Sequence, residues 1–170
     1  SSSSNNSLAN NTISTTGNPG YGIYILSSSS NNVLAPNNIT TTGAGAYGFY
    51  SDTSTNSTLT GNRFNTSSAV AIYVTGTTAS EYNLSIDTSN LAEGLPINYT
   101  FNGQNIIYQN IANGTYGQIV CAWCNNVTYN NVTMGNDGFS FLNTSNSLIN
   151  NSKVTTANSN AVTIVGSSTS

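Results

Sequence analysis

Five carboxylates carry all the acid chemistry available to this sequence: Asp52, Glu81, Asp87, Glu93 and Asp137. Arg63 and Lys153 are its only basic residues, and histidine is absent. An enzyme that cleaves glycosidic bonds needs two carboxyl groups about 5–10 Å apart. Neighbouring strands of a sheet lie about 4.8 Å apart, so acids at one position of adjacent repeats would meet that need. No position of this chain holds two. Asp87 and Glu93 share one irregular stretch and form the one pair worth weighing; the competing reading is a solvated loop. Asp52 ends a strand-like segment, Glu81 precedes the next repeat, and Asp137 sits alone in a glycine-flanked turn. Without histidine most hydrolytic and lyase schemes lack a part. The expectation is a chain that is not an enzyme, with no catalytic residue, no cofactor and no metal site.

Four further sets of residues could act. Cys121 and Cys124 in "CAWC" have the spacing of a redox pair or of half a metal site. No helix start follows the strand-like "QIVCA", and no second ligand pair completes a zinc site. The readings left are buried packing thiols and a local disulfide. Tyr24, Tyr50 and Tyr73 recur at one position of three successive repeats. Stacked one per repeat they form an aromatic stripe, either a binding or packing surface or simply cross-strand pairs that stabilise a sheet. N-x-S/T sequons are dense, and Asn56, Asn113 and Asn143 fall at outward corners suited to glycans. A file of Ser14, Thr40, Asn65, Ala112, Thr133 and Thr155 is too irregular to favour an ice-binding array, which stays a minor alternative.

Something must hold these residues in line, and the repeat does so. An apolar residue followed five positions later by a second one occurs at Leu8/Ile13, Leu34/Ile39, Leu59/Phe64, Ile106/Ile111, Val127/Val132 and Ile149/Val154, with a weaker copy starting at Leu84. The spacing gives about seven repeats of roughly 21–26 residues. A second file of alternating segments trails each pair, from "GIYIL" and "GFYSD" to "QIVCA" and "VTIVG". Its inward residues are expected to be Ile23, Phe49, Ile72, Ile97, Ile119, Phe139 and Val162. No window shows a helical period. Short strands at this period, without helices, predict an all-β parallel β-helix, a solenoid of about seven coils with no α-helix. Asn11, Asn37, Asn62 and Asn130 follow the first residue of each pair by three positions. Asparagine tolerates the left-handed backbone of a corner and can bond the next coil through its amide, so these four are expected to form a structural ladder. Regular coils are expected over 1–85 and 105–170, with an irregular coil at 86–104, in one domain or one segment of a longer β-helix.

"NNTIS", "NNITT", "NNVTYNNVT" and "GYGIYILSSSSNN" resemble the right-handed parallel β-helix repeat proteins, among them the NosD-like, carbohydrate-binding and sugar-hydrolase group common in archaeal surface proteins. The stretch "EGLPINYTFNGQNIIYQN" followed by "GQIVCAWCNNVTYNNVTM" resembles a segment that recurs in that group. The right-handed winding is implied by the resemblance alone, and the fold hosts many functions.

Charge and length narrow the roles. Asn, Ser and Thr make up about half the chain and charged residues only 4%, against a usual quarter. A net charge of −3 with two basic residues cannot neutralise nucleic-acid phosphates. No apolar run reaches the about 18 residues of a membrane span. Ser1 and Ser167 stand at the same phase of the repeat. That leads to the expectation of an extracellular or cell-surface structural or adhesive β-helix, non-enzymatic, glycosylated, and either part of a longer chain or stacked end to end with copies of itself. Surface glycans are the other expected partner. The alternative is a carbohydrate-binding or polysaccharide-processing β-helix.

Overall fold

The computed structural model describes residues 3–155 and 160–166. The matching phases of Ser1 and Ser167 lie outside the described residues. Strands of two to seven residues pair in parallel with strands one repeat away, forming a β-solenoid of about seven turns. The described residues contain no α-helix, only one turn of 3-10 helix at Ala79–Tyr82.

Each early coil contributes to three parallel sheets. Ser7–Leu8, Val33–Leu34, Thr58–Leu59 and Ser85–Ile86 build one. Asn11–Thr15, Asn37–Thr41, Arg63–Thr66 and Leu91–Ala92 build the second. Ile23–Leu26, Phe49–Asp52 and Ile72–Thr75 build the third. Strand side chains alternate in and out, so the files Leu34–Leu59–Ile86, Ile39–Phe64–Ala92 and Ile23–Phe49–Ile72 meet in one core. Burying each large apolar side chain contributes about 1.5–3 kcal/mol. The fourth coil departs from the expected spacing. Ile86, rather than Leu84, stands opposite Leu59, and Ala92 stands opposite Phe64. Gly22 and Gly48 mark where coils approach closely: a Cβ on Gly48 would lie 2.8 Å from the Ala71 carbonyl oxygen, and one on Gly22 2.6 Å from that of Gly48.

Asparagine does two jobs here, and they fall on different residues. Asn11 Nδ2 donates to Asn37 Oδ1 at 3.0 Å, Asn37 Nδ2 to Asn62 Oδ1 at 3.0 Å, and Asn62 Nδ2 to Asn90 Oδ1 at 2.9 Å. The positive φ values of this corner sit one residue earlier, at Asn10 and Gly61. Asn90 is a further rung that lies off the spacing of the apolar pairs, because the fourth coil is longer. Asn130 lies outside this ladder: its strand pairs it with Gln109 and Asn150, and its Oδ1 is buried without a partner. Ser152 instead caps the Val132 amide.

The stretch 86–104, expected to be irregular, contains a reversal. After Leu91–Ala92 the chain turns at Glu93 and Gly94, both at positive φ, and Leu95–Phe101 runs back antiparallel. Gln118–Ala122, Gly138–Leu142 and Val162–Val165 then stack in parallel on that strand. The second sheet of the early coils thus continues into an eight-stranded sheet. Its two faces now serve two cores. Ile97, Val120, Ala122 and Leu142 join the first core. Ile119, Cys121, Phe139 and Phe141 point the other way, into a second core closed by Ile107–Ile111, Thr128–Met134, Leu148–Asn150 and Lys153–Val154. This corrects the single inward file: Ile97 stands opposite Gln118, while Ile119, Phe139 and Val162 share a row with Asn98.

Replacing Asn62 by Ala leaves the Leu34 carbonyl oxygen with the Thr60 amide alone, removing the bond from Nδ2 at 2.7 Å, and removes both neighbouring rungs. The expected loss is about 3 kcal/mol in chemical denaturation, against no more than about 0.5 kcal/mol for Asn38→Ala on the exposed side of the same sheet.

Candidate functional site

The third sheet of the first core presents the most distinctive chemistry. Ile23, Phe49 and Ile72 point inward, so Tyr24, Tyr50 and Tyr73 must point outward, in register across three coils. Tyr24 and Tyr50 stack with ring centroids 4.9 Å apart and planes at 12°, and Tyr50 and Tyr73 lie 5.6 Å apart at 49°. Two further tyrosines, which precede the strands and so fall outside the repeating file, complete a second column. Tyr21 stacks on Tyr47 at 5.7 Å, and Tyr47 on Tyr73 at 4.4 Å and 14°. Edge contacts of 5.0–5.7 Å tie the columns together. The signal was in the sequence: "YGIY" and "YGFY" repeat the same four-residue pattern, and the third coil keeps only its last tyrosine in "VAIY".

The array is half exposed and bordered by one acid. Tyr24 is 45% exposed. Its phenol is held above the ordinary value by partial desolvation among its neighbours and by the Asp52 carboxylate beside it. Tyr47 and Tyr73 are raised in the same direction, first by burial and then by the surrounding phenols. The Tyr50 hydroxyl stands 3.2 Å from Thr75 Oγ1, which donates to Asp52 Oδ1 at 3.3 Å. Tyr47 and Tyr73 form one wall of a cleft of about 480 Å³, with Val162, Ile164 and Val165 opposite.

The remaining acids serve the backbone. Asp87 accepts from the Ser89 amide at 3.1 Å, from the Ser89 hydroxyl and from Asn90 Nδ2. Glu93 turns to another coil, where its Oε1 accepts from the Thr66 amide at 2.8 Å and the Thr66 hydroxyl at 3.0 Å. Glu81 Oε2 accepts from the Thr77 and Thr78 amides. Asp137 is fully buried and accepts from the Ala71 amide at 2.6 Å. Beside it Gln118 pairs with Ile72 as a strand would, accepting from its amide at 2.9 Å and donating to its carbonyl at 2.8 Å. These two side chains cover the edge of the tyrosine sheet. Nothing in the local sequence announces them, because the contact depends on the reversal between residues 72 and 118.

Cys121 and Cys124 are buried and joined in a disulfide, with Cα atoms 5.9 Å apart. Disulfides persist in oxidising compartments such as the periplasm and cell exterior. Asn56 and Asn113 are exposed and Asn143 is half-buried. Ser14, Thr40 and Asn65 do share a row, whereas Thr133 pairs with Lys153 rather than with Thr155. No helix among the described residues is long and apolar enough to cross a membrane.

A family model described as "Periplasmic copper-binding protein (NosD)" matches residues 1–94. The chain belongs to the NosD family. Among curated proteins and among solved structures no match was found. The periplasmic character of the NosD family agrees with an exported chain and with the buried disulfide. The copper in the NosD description is another matter. Copper sites draw on imidazole, thiolate and thioether ligands. Residues 1–94 contain no His, Cys or Met. In the rest of the chain both cysteines are in the disulfide and the sole methionine, Met134, is buried. No group of three or more His, Cys, Asp or Glu that could hold a metal stands among the described residues. The donor set does not fit copper.

Burial pushes the Glu93 carboxyl above its ordinary value, and the Thr66 hydrogen bonds offset that only in part. A carboxyl raised in the folded state carries no charge penalty while protonated. The penalty appears as pH climbs from the ordinary carboxylate value through the raised one, so this residue favours the fold on the acid side. Glu93→Gln is expected to remove that component. Between about pH 4 and about pH 7 the denaturation midpoint of the variant should rise relative to that of the parent.

Proposed function

We propose that this NosD-family chain is a non-enzymatic structural and adhesive β-helix of a cell surface or extracellular layer, with the tyrosine array as its binding face. The observation that carries the reading is the array itself: five stacked phenol rings on a three-stranded sheet whose inward side is core. Aromatic faces and phenol hydroxyls suit sugar rings, which offer C–H bonds to a ring face and hydroxyls to an –OH. The acids support a non-catalytic role, since Glu81, Asp87, Glu93 and Asp137 accept hydrogen bonds from the backbone around them. In this reading the partners are surface glycans and further β-helix coils, from a longer chain or from other copies. Asn56, Asn113 and Asn143 are its glycan acceptors, and added sugar supplies the solubility that a nearly uncharged surface lacks.

Binding to a panel of immobilised polysaccharides tests it. The parent chain is expected to retain at least one polysaccharide without releasing reducing sugar. Tyr24→Ala is expected to weaken retention by about threefold to tenfold. Reducing-sugar release that requires Asp87 and Glu93, or retention unchanged by Tyr24→Ala and Tyr50→Ala together, would overturn the reading.

A further inference from the structure

Ten tyrosines, one tryptophan, one methionine and two cysteines are the oxidisable side chains of this chain. The fold takes several of them out of reach. Tyr129 and Met134 are buried, Cys121 and Cys124 are already oxidised, and the Trp123 indole nitrogen is buried. The Tyr99 hydroxyl donates to the Tyr82 carbonyl at 2.7 Å against the first core. Tyr108 and Tyr116 are half-buried outside the array, and Tyr108 stacks on the buried Tyr129. The array is the largest cluster of partly exposed rings. Its ring contacts run unbroken from Tyr24 to Tyr73 at centroid distances of 4.4–5.7 Å. An electron vacancy made at the exposed end therefore meets a neighbouring ring at each step. A phenol that loses an electron also sheds its proton, and a base stands on the same sheet. Asp52 lies beside the Tyr24 phenol and reaches the Tyr50 hydroxyl through Thr75.

We propose that the array is a modification site for one-electron oxidation, in which Tyr47 and Tyr73 become joined as dityrosine. The oxidant class is a haem ferryl group of the peroxidase type, regenerated by hydrogen peroxide and acting from solvent. Two successive one-electron steps remove an electron and a phenolic proton from each of two tyrosines. The radicals couple through their ortho carbons, forming one carbon–carbon bond. Each ortho proton then moves to its own ring oxygen, which restores both phenols. The net change is the loss of two electrons and two protons, and the peroxide is reduced to water. Tyr47 and Tyr73 are the pair that reacts because theirs is the closest contact in the array, 4.4 Å between centroids with nearly parallel planes. The bond would staple two adjacent coils at the sheet edge that Gln118 and Asp137 cover. This inference stands apart from glycan binding and needs no ligand.

The test treats the full chain, at a dilution where molecules rarely meet, with a haem peroxidase and hydrogen peroxide. Dityrosine fluorescence is followed, and cross-linked peptides are mapped by mass spectrometry. The expected result is a Tyr47–Tyr73 cross-link within one chain. Tyr73→Phe keeps the ring and its packing and should lose most of the fluorescence, while Tyr116→Phe, outside the array, should keep it; circular dichroism shows that each variant is folded. Asp52→Asn should slow the initial rate. A cross-link mapped to any other pair, links formed only between chains, or full fluorescence from Tyr73→Phe would overturn the proposal. An unchanged rate in Asp52→Asn would overturn the proton role given to Asp52.

Discussion

Each coil of this protein is completed by the next one. A strand of two to seven residues cannot satisfy its own backbone, so its amides and carbonyls bond the strand one repeat away. That requirement brings like residues over like. It sets Asn37 between Asn11 and Asn62, Phe49 between Ile23 and Ile72, and Tyr50 between Tyr24 and Tyr73. Ladder, core file and aromatic array are three results of one register. A chain with almost no charge can hold together this way, because amides and apolar side chains in register replace the ion pairs of an ordinary surface.

The same requirement explains how the fold survives a change of direction. At Glu93–Gly94 the chain turns back, yet Leu91 still faces Pro96 and Ala92 still faces Leu95, so the sheet passes through without a gap. Strand direction reverses and the interior changes face. Ile97, Tyr99 and Phe101 stay with the first core, while the alternate residues of later strands line the second. The tyrosine file ends at Tyr73 for this reason. Beyond the turn its sheet has no further strand among the described residues, and its edge bonds are taken by the side chains of Gln118 and Asp137.

What could be read in advance follows the same division. The repeat, the absence of helices and the Tyr24–Tyr50–Tyr73 file are local periodicities, and all three can be seen in the residues themselves. Asn90 escaped because a long fourth coil shifts it off the spacing, and Tyr21 and Tyr47 escaped because they precede their strands. The second core could not be found by period alone. "INYTF" and "QIVCA" both alternate, and alternation shows which residues share a face but not which face is inside. Only the antiparallel turn decides that Ile97 and Ile119 part company. NosD membership agrees with the β-helix and with export, while the absence of histidine and of a free thiol separates this chain from the copper in the family's description.

The reversal is what the second core and the covered edge of the tyrosine sheet rest on, and nuclear Overhauser contacts in the isotope-labelled chain test it most directly. The account predicts a close contact between the α-protons of the antiparallel pair Leu91 and Pro96, and contacts from the Gln118 side-chain amide to Ile72. Ile97 packing on Ile119 in one continuous file, with neither of those contacts present, would contradict it.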